Sequence, residues 1–350
     1  MYQAIASAGR RVRGALELLT AIALPAAGCA ETTPALGGAD VALQSKPPLA
    51  HITYTSRHSR SLDLDDRLPL FDRVGFSWPS AILYDRGHDV YWVSNLNLDG
   101  PAGGAFISRL QPDGSLSTLN FIDGRRPGVK LTSPHGLAVS GDLLLVADVS
   151  AIRKFDSTSG EPRDSIMVPN SRYLSDVAVA ADGSLYVTDV GSDPNLAAMP
   201  HEGADAVYQI SPAGELSVVA RRPDLGGPFA LLADRTGLWI ACTGSSDLLL
   251  LIPGSNGGQS ADAGRLHLPG EAPHGVAAMP DGTLLISSWT ARAVYRGFRD
   301  GPFEPIISGL ESPADLDYDT RRKRLLIPLL TGQALAIFEL APFTPSLPRP

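Results

Sequence analysis

The unit that decides the fold is written twice, as SPHGLAVSGDLLLVAD over residues 133–148 and as APHGVAAMPDGTLLISS over residues 272–288. Each copy opens with Pro-His-Gly, continues through an apolar run to a Gly-Asp or Asp-Gly turn, and then enters a second apolar run. Gly-Asp and Asp-Gly pairs readily adopt the positive φ angles that tight hairpin turns require. Each copy therefore predicts two antiparallel strands joined by a short turn.

Four further stretches follow the same pattern, and they begin at Trp78, Tyr173, Gly227 and Ser312. The residues aligned with the two prolines are Pro79, Pro134, Leu174, Pro228, Pro273 and Pro313, which lie 55, 40, 54, 45 and 40 residues apart. Each copy continues into further strand-like runs, and no sustained helical periodicity follows the first thirty residues. The sequence predicts an all-β fold, a six-bladed β-propeller of four-stranded antiparallel blades.

The sixth copy ends in PFTPSLPRP without a run for its outer strand. Residues 51–56 (HITYTS) or residues 68–74 (LPLFDRV) are expected to supply that strand and close the ring, because an open edge would leave backbone groups unpaired. The expected organisation is an export signal over residues 1–29, a flexible tether over 30–50, the propeller over 51–340 and a C-terminal tail over 341–350.

The first thirty residues predict export from the cytoplasm. Arg10, Arg11 and Arg13 precede an apolar run that ends in small residues before Cys29. This end resembles a bacterial lipobox, in which Cys29 would carry a lipid and become the mature N-terminus. A signal without lipid or a short anchor are the alternatives. We expect a periplasmic or envelope protein, tethered to a membrane through Cys29.

The charge and the cysteine content limit the kinds of partner that we expect this protein to bind. The formal net charge of -8 offers no basic field for nucleic acid. If Cys29 is lipidated, Cys242 has no disulfide partner, and its apolar surroundings predict a buried, inert thiol. The expected partner is a small molecule, a peptide or an envelope protein, and the expected oligomeric state is a monomer.

Two histidines and two aspartates are predicted near the axis of the ring. His135 and His274 begin the inner strands of the second and fifth copies, and Asp176 and Asp315 lie one step deeper in the third and sixth. Opposed blades would bring each pair together across the axis, where the four side chains could hold a divalent metal, calcium or zinc. The alternative is that they bond to neighbouring strand ends.

Six other residues are candidates for ligand binding on the face that carries the Pro-His-Gly motifs and the longest loops. They are Trp78, Asn95, Asp148, Asp189, Phe229 and Trp289. Asn and Asp at the end of a second strand also commonly cap turns by accepting backbone N–H groups. The tryptophans could line a ligand or belong to the core.

The stretches WPSAILYDRGHDVYWVSN, GAFISRLQPDGSL, SPHGLAVSGDLLLVAD and YLSDVAVAADGSLYVTD resemble the senescence-marker-protein and gluconolactonase group of six-bladed propellers, with NHL-like repeats. More narrowly, the chain resembles exported bacterial members without an assigned role. In the lactonases of this group, a glutamate, asparagines and an aspartate hold a divalent metal. Here GFSWPS has no glutamate, and Ser175, Phe229 and His274 stand where asparagines and the aspartate are expected.

The resemblance therefore implies the fold more than the chemistry, and a standard gluconolactonase is not expected. Our leading hypothesis is a tethered propeller that binds a ligand or partner on its loop-rich face. The alternative is a metal-dependent hydrolase, lactonase-like or esterase-like, or a lyase, with the axial His and Asp residues as its site. The analogy for this alternative comes from streptogramin-type and amidating lyases, which also use histidines at the mouth of a propeller.

Overall fold

The computed structural model describes residues 62–71, 74–101, 103–191, 205–254 and 260–340. These residues form twenty-three β-strands and two short 3-10 helices, Leu64–Asp66 and Pro223–Leu225. No helix within these ranges is long and apolar enough to span a membrane. Cys29, the export signal and residues 51–56 lie outside the described residues.

The strands follow one another in six groups. The first blade contains β1 (Pro79–Asp85), β2 (Val90–Asn95), β3 (Phe106–Leu110) and β4 (Leu116–Asp123). The second contains β5 (Pro134–Ser140), β6 (Leu143–Asp148), β7 (Ala151–Asp156) and β8 (Pro162–Met167). The third contains β9 (Leu174–Val179), β10 (Leu185–Asp189), β11 (Ala206–Ile210) and β12 (Leu216–Arg221).

The remaining groups complete the ring. The fourth blade contains β13 (Pro228–Asp234), β14 (Gly237–Cys242), β15 (Asp247–Ile252) and β16 (Ala261–His267). The fifth contains β17 (Pro273–Ala278), β18 (Leu284–Ser288), β19 (Ala293–Gly297) and β20 (Phe303–Ser308). The sixth contains β21 (Asp317–Asp319), β22 (Arg324–Leu329) and β23 (Ala334–Glu339).

Each group is an antiparallel sheet in which consecutive strands are neighbours, with four strands in the first five blades and three in the sixth. This arrangement confirms the predicted six-bladed propeller and the predicted number of strands per repeat. The second strands are buried on both faces because a neighbouring blade covers each face. In β2, for example, all six residues are buried.

The inner strand of the sixth blade is shorter than the sequence suggests, because it changes partner along its length. Pro313 pairs with Leu329 of its own blade, whereas Asp315 forms a parallel bridge with Ala81 of β1. The Asp315 N–H donates to the Ser80 carbonyl and the Ile82 N–H donates to the Asp315 carbonyl, both at 3.2 Å. These bonds close the ring at its inner edge.

The outer edge of the sixth blade is covered by a residue that precedes the first blade. The Leu68 N–H donates to the Ile337 carbonyl of β23 at 2.7 Å, in an antiparallel bridge. Just upstream, Leu62 pairs with Ile307 of β20 in a parallel bridge. The predicted N-terminal closure is therefore confirmed at the start of residues 68–74, where the described part of the chain forms a single bridge to β23.

The core lies between the blades. Trp92 and Ile107 of the first blade pack against Leu144 and Phe155 of the second, and similar apolar layers separate the third blade from the fourth and the fifth from the sixth. The closing seam has its own layer, in which Phe71 joins Tyr91 and Leu326. Burial of apolar side chains is the dominant favourable term in folding, so these interfaces hold the ring together.

Candidate functional site

The Pro-His-Gly motifs and the ends of the second strands meet on one face of the ring, because the strands of each blade alternate in direction. At the mouth of the axial channel on this face, five ring-bearing side chains form a continuous series. They are Tyr173, His135, Phe229, His274 and Trp289. They come from four of the six blades and the loops that join them, so the ring architecture assembles this cluster, which we call the aromatic mouth.

Edge-to-face contacts dominate the aromatic mouth. The ring centroids of His135 and Tyr173 are 5.2 Å apart, and those of His135 and Phe229 are 5.8 Å apart with perpendicular planes. Phe229 lies 4.4 Å from His274, which in turn lies 4.7 Å from Trp289. Such distances and tilts are favourable for aromatic pairs. The two predicted histidines do converge, and the Phe229 ring touches both of them.

Hydrogen bonds fix the two imidazoles. The Tyr173 hydroxyl lies 2.7 Å from His135 Nε2 and 2.7 Å from Ser133 Oγ. His274 Nδ1 lies 3.1 Å from the Ala272 carbonyl, an arrangement that places a proton on Nδ1. Tyr173 was missed as a site residue in the sequence. Its signal was its position, since it precedes the inner strand of its repeat as Trp78 does in the first.

Burial keeps both imidazoles neutral. It lowers the pKa of His135 to about 3, with a further contribution from the neighbouring His274. It also lowers the pKa of His274 to about 4, against the opposing effect of the bond to Ala272. Removing a cation from water is costly, so a buried imidazole without a carboxylate partner stays uncharged. At neutral pH the aromatic mouth therefore carries no charge from either histidine.

Hydroxyl groups of the preceding blade bond to residues at the start of three inner strands, and two of these residues, His135 and Phe229, belong to the aromatic mouth. Ser94 donates to the His135 carbonyl at 2.8 Å, Thr188 to the Phe229 carbonyl at 3.0 Å, and Ser287 to the Ala314 carbonyl at 2.7 Å. These three donors occupy the same position in the second strands of the first, third and fifth blades. The sequence signal for these bonds is the alternation of hydroxyl and apolar residues at this position from one repeat to the next.

Asn95, Asp148 and Asp189 accept backbone N–H groups of the loops that precede the inner strands. Asn95 Oδ1 accepts from the Ser77 N–H at 3.1 Å. Asp148 accepts from two loop amides, the closer at 2.6 Å, and Asp189 accepts the amides of Tyr173 and Arg172. All three side chains are fully buried. These are the hydrogen bonds expected of residues that cap turns by accepting backbone N–H groups.

The tryptophans differ in their roles. Trp78 is buried, adopts a positive φ of 53°, and donates from Nε1 to Asp99 at 2.6 Å, which makes it part of the loop framework. Trp289 is half-buried and completes the aromatic mouth beside His274. Of the six predicted ligand-binding residues, only Phe229 and Trp289 lie in that cluster. Cys242 is fully buried, and burial raises the pKa of its thiol to about 12, as expected for an inert group.

A layer of carboxyl groups lies deeper in the channel. Asp176 accepts from the Leu231 N–H at 2.6 Å and from the Val177 N–H at 2.7 Å, and Asp317 accepts from the Tyr84 N–H at 2.7 Å. Desolvation raises the pKa of Asp176 to about 7 and that of Asp317 to about 6, despite these bonds. Desolvation and the charges of Asp176 and Asp317 raise the pKa of Asp315 well above its usual value.

The predicted metal set does not fit a metal ion in this geometry. Among the described residues, no three His, Cys, Asp or Glu side chains come together as ligands. His135 and Asp176 already bond to protein groups, namely the Tyr173 hydroxyl and two backbone amides. A site for calcium or zinc formed by His135, His274, Asp176 and Asp315 thus gains no support from the structure.

Comparisons with solved structures identify the architecture. A gluconolactonase from Xanthomonas campestris matches with a TM-score of 0.59 and 21% identity, over 78% of this chain and 91% of that one. The fold is that of a gluconolactonase-like β-propeller. A streptogramin B lyase matches with a TM-score of 0.52 and 14% identity, over 79% and 86%.

A third neighbour of this gluconolactonase-like propeller was solved with a ligand. It is a catalytically inactive histidine-to-alanine variant of virginiamycin B lyase from Staphylococcus aureus with quinupristin, with a TM-score of 0.53 and 14% identity over 81% and 99%. Identities this low establish the fold alone. No family model matches the sequence, and no curated protein matches it.

Proposed function

We propose that this propeller binds an uncharged, ring-bearing small molecule at the aromatic mouth. The observation that carries the proposal is the unbroken series of ring contacts from Tyr173 to Trp289, in which both imidazoles are neutral. Aromatic side chains favour flat or ring-shaped ligands through stacking and edge contacts. A few polar atoms among them give orientation, as is usual in small-molecule sites.

The carboxyl layer supports the choice of an uncharged ligand. Asp176, Asp315 and Asp317 lie along the channel below the mouth, and any of them that ionises would repel an anion. His135 Nδ1 and His274 Nε2, the ring nitrogens that these internal bonds do not use, can exchange hydrogen bonds with a carbonyl or hydroxyl group of the ligand. A cyclic ester or amide with an aromatic part combines these features.

Binding of dihydrocoumarin, an uncharged aromatic lactone, tests this proposal. We expect quenching of the Trp289 fluorescence on titration, and weaker binding by about three- to tenfold in Phe229→Leu, because aromatic contacts are worth about 0.5–1.5 kcal/mol. Phe121→Leu is the matched control, since Phe121 contacts Trp92 away from the mouth. Equal affinities in the two variants, or tighter binding of gluconate than of dihydrocoumarin, would reject the aromatic mouth as the site.

A second candidate function is catalysis by the His135–Tyr173 pair, favoured by the 2.7 Å contact between Nε2 and the hydroxyl. The pair could move a proton during lactone hydrolysis or elimination, which are the reaction classes of the structural neighbours named above. Turnover of a lactone and ester panel, measured with and without chelator, tests this function. A rate that falls at least about tenfold in Tyr173→Phe while dihydrocoumarin still binds would favour catalysis over simple binding.

The proposed setting is the cell envelope, with a lipid on Cys29 and a monomeric propeller beyond a flexible tether. The support is the arginine-rich start followed by an apolar run and small residues before Cys29. Mass spectrometry of the mature N-terminus tests this directly. A start downstream of Cys29 without lipid would remove the membrane tether and leave the binding proposal intact.

A further inference from the structure

The pairing of the inner strands turns the mouth residues out of the regular strand alternation. In β17 the register with β18 shifts directly after Pro273, and His274 is the extra residue of this β-bulge. The register of β5 shifts at the same place and includes His135, and that of β13 shifts around Phe229. β-bulges redirect side chains and are common next to active sites. The three bulges therefore present His135, His274 and Phe229 at the mouth.

The contacts of Phe229 place these three side chains at the axis of the ring. The Phe229 ring, on the fourth blade, touches His135 of the second blade and His274 of the fifth. The second and fourth blades are not neighbours, because the third blade lies between them. The contact between His135 and Phe229 therefore reaches across the channel. A ligand that enters the mouth meets both imidazoles together with the Phe229 ring.

His274 offers the mouth a hydrogen-bond acceptor. Its Nδ1 lies 3.1 Å from the Ala272 carbonyl, which can only accept, so the proton of the ring lies on Nδ1. Because burial keeps the imidazole neutral, the other nitrogen, Nε2, carries no proton. No described residue bonds to Nε2, and this nitrogen is not one of the buried atoms of the described chain that lack a partner. A small molecule can therefore reach it.

His135 offers the mouth a hydrogen-bond donor. Its Nε2 lies 2.7 Å from the Tyr173 hydroxyl, which lies at the same distance from Ser133 Oγ. A phenol is a stronger acid than an alcohol, and an imidazole nitrogen is a stronger base than a hydroxyl oxygen. Tyr173 therefore donates to Nε2 and accepts from Ser133, which leaves the proton of His135 on Nδ1. No described residue bonds to Nδ1, and this nitrogen too is not one of their buried unpartnered atoms.

We propose that the ligand of the aromatic mouth carries both a carbonyl and an N–H group on its ring, the carbonyl accepting from His135 Nδ1 and the N–H donating to His274 Nε2. This inference rests on the proposed binding function and narrows its ligand from cyclic esters and amides to the amide class, lactams and their vinylogous forms. A cyclic ester would place an oxygen against His274 Nε2, and two acceptors cannot bond to each other. A polar atom that loses water without gaining a partner weakens binding.

Two pairs of ligands that differ only by oxygen against N–H test the proposal. Hydrocarbostyril has an N–H in place of the ring oxygen of dihydrocoumarin, beside the carbonyl, and the quinolone that corresponds to chromone has it across the ring. We expect the N–H member of at least one pair to bind about three- to tenfold more tightly than its oxygen counterpart, the usual contribution of a neutral hydrogen bond. If the oxygen members bind at least as tightly in both pairs, the proposal is overturned and the binding function stands.

Two matched variants locate the preference within the mouth. His274→Phe keeps a ring at this position and removes the acceptor, so the preference for the N–H member should disappear. His135→Phe removes the donor to the carbonyl, which both members of a pair carry, so both affinities should fall and their ratio should stay near that of the wild type. Loss of folded protein lowers both affinities equally, so it does not change this ratio. A preference that survives in His274→Phe overturns the role of His274 Nε2.

Nitrogen NMR of the ligand-free full chain tests the positions of the two protons directly. Protonated and unprotonated imidazole nitrogens have well-separated chemical shifts, and His135→Phe and His274→Phe identify the two residues among the seven histidines. We expect the proton on Nδ1 in both. A proton on Nε2 of either residue overturns this inference and leaves the binding of dihydrocoumarin, and with it the proposed function, untouched. If none of the ligands binds, the binding function itself is overturned, and this inference with it.

Discussion

The carboxylate of Asp176 occupies the space that a Cβ atom on residue 136 would need. The same relationship recurs half a ring away, where a Cβ on Gly275 would lie 2.9 Å from the Asp315 Cα and 2.6 Å from the Leu316 nitrogen. In both cases the inner strand of one blade lies directly against that of the next. The repeated Pro-His-Gly motif therefore ends in glycine because the neighbouring blade leaves no room for a side chain.

Replacement of this glycine should destabilise the ring. We expect Gly136→Ala to lower the free energy of unfolding by about 1–3 kcal/mol, the usual cost of overpacking. Gly264→Ala is the control, because a Cβ there would meet only the Leu250 Cβ at 4.0 Å. Chemical denaturation of both variants checks the expectation. Equal stability of Gly136→Ala and the wild type would mean that the inner strands separate easily.

Closure of the outer edge can be tested at Leu68. Leu68→Pro removes the N–H that donates to the Ile337 carbonyl, whereas Leu68→Ala keeps this N–H and removes the side chain. We expect the proline variant to be less stable than the alanine variant by about 1–2 kcal/mol, since the Ile337 carbonyl loses its partner. Thermal unfolding of the pair measures the difference. Identical melting temperatures would show that the single bridge does not stabilise the sixth blade.

The repeat predicted the number of blades, the strands in each and the missing outer strand of the sixth, because hairpin turns and alternating apolar runs are local signals. The inner strand of the sixth blade was predicted less well. Asp315 pairs with Ala81, more than two hundred residues away, and no local pattern records this change of partner. Ring closure depends on contacts between distant parts of the chain. The sequence could therefore predict that the ring must close, but not which backbone groups pair to close it.

The candidate site was predicted in part for a related reason. His135, His274 and Phe229 share an aligned position, so the sequence placed all three at the mouth. It did not show that Phe229 contacts both imidazoles, because that contact joins side chains from three blades. For Asp148 and Asp189 the sequence favours a capping role and leaves a ligand role as the alternative. Only the positions of the loop amides decide between these roles.

The hydroxyl donors between blades should contribute to stability. We expect Thr188→Val, which keeps the shape of the side chain, to lower the free energy of unfolding by about 1–3 kcal/mol, because the buried Phe229 carbonyl loses its donor. Thr158→Val is the control, since Thr158 is exposed in the turn between β7 and β8. Urea denaturation compares the two. A loss in the control as large as that in Thr188→Val would contradict a specific role for the hydroxyl.

The buried carboxyl groups lower the stability as the pH rises, whereas the buried His135 and His274, with pKa values of about 3 and about 4 against the ordinary 6.5, lower it as the pH falls. Asp176 and Asp317 have pKa values of about 7 and about 6 in the folded state, against 3.8 for an ordinary aspartate. The folded state therefore binds these protons more tightly than the unfolded state does. Their contribution to stability is complete below about pH 3.8 and is lost as the pH rises through 6 and 7, at roughly 1.4 kcal/mol per pH unit for each proton.

Asp315→Asn should reduce this dependence, because the amide cannot ionise and the pKa of Asp315 is also raised well above 3.8. We expect the variant to lose less stability than the wild type between about pH 5 and pH 8, and to be the more stable of the two at pH 8. Chemical denaturation at each pH measures both effects. Asp142→Asn, in an exposed turn, should keep the slope of the wild type. If Asp315→Asn also keeps that slope, the Asp315 carboxyl does not hold its proton in the folded channel, and the pH dependence must come from Asp176 and Asp317.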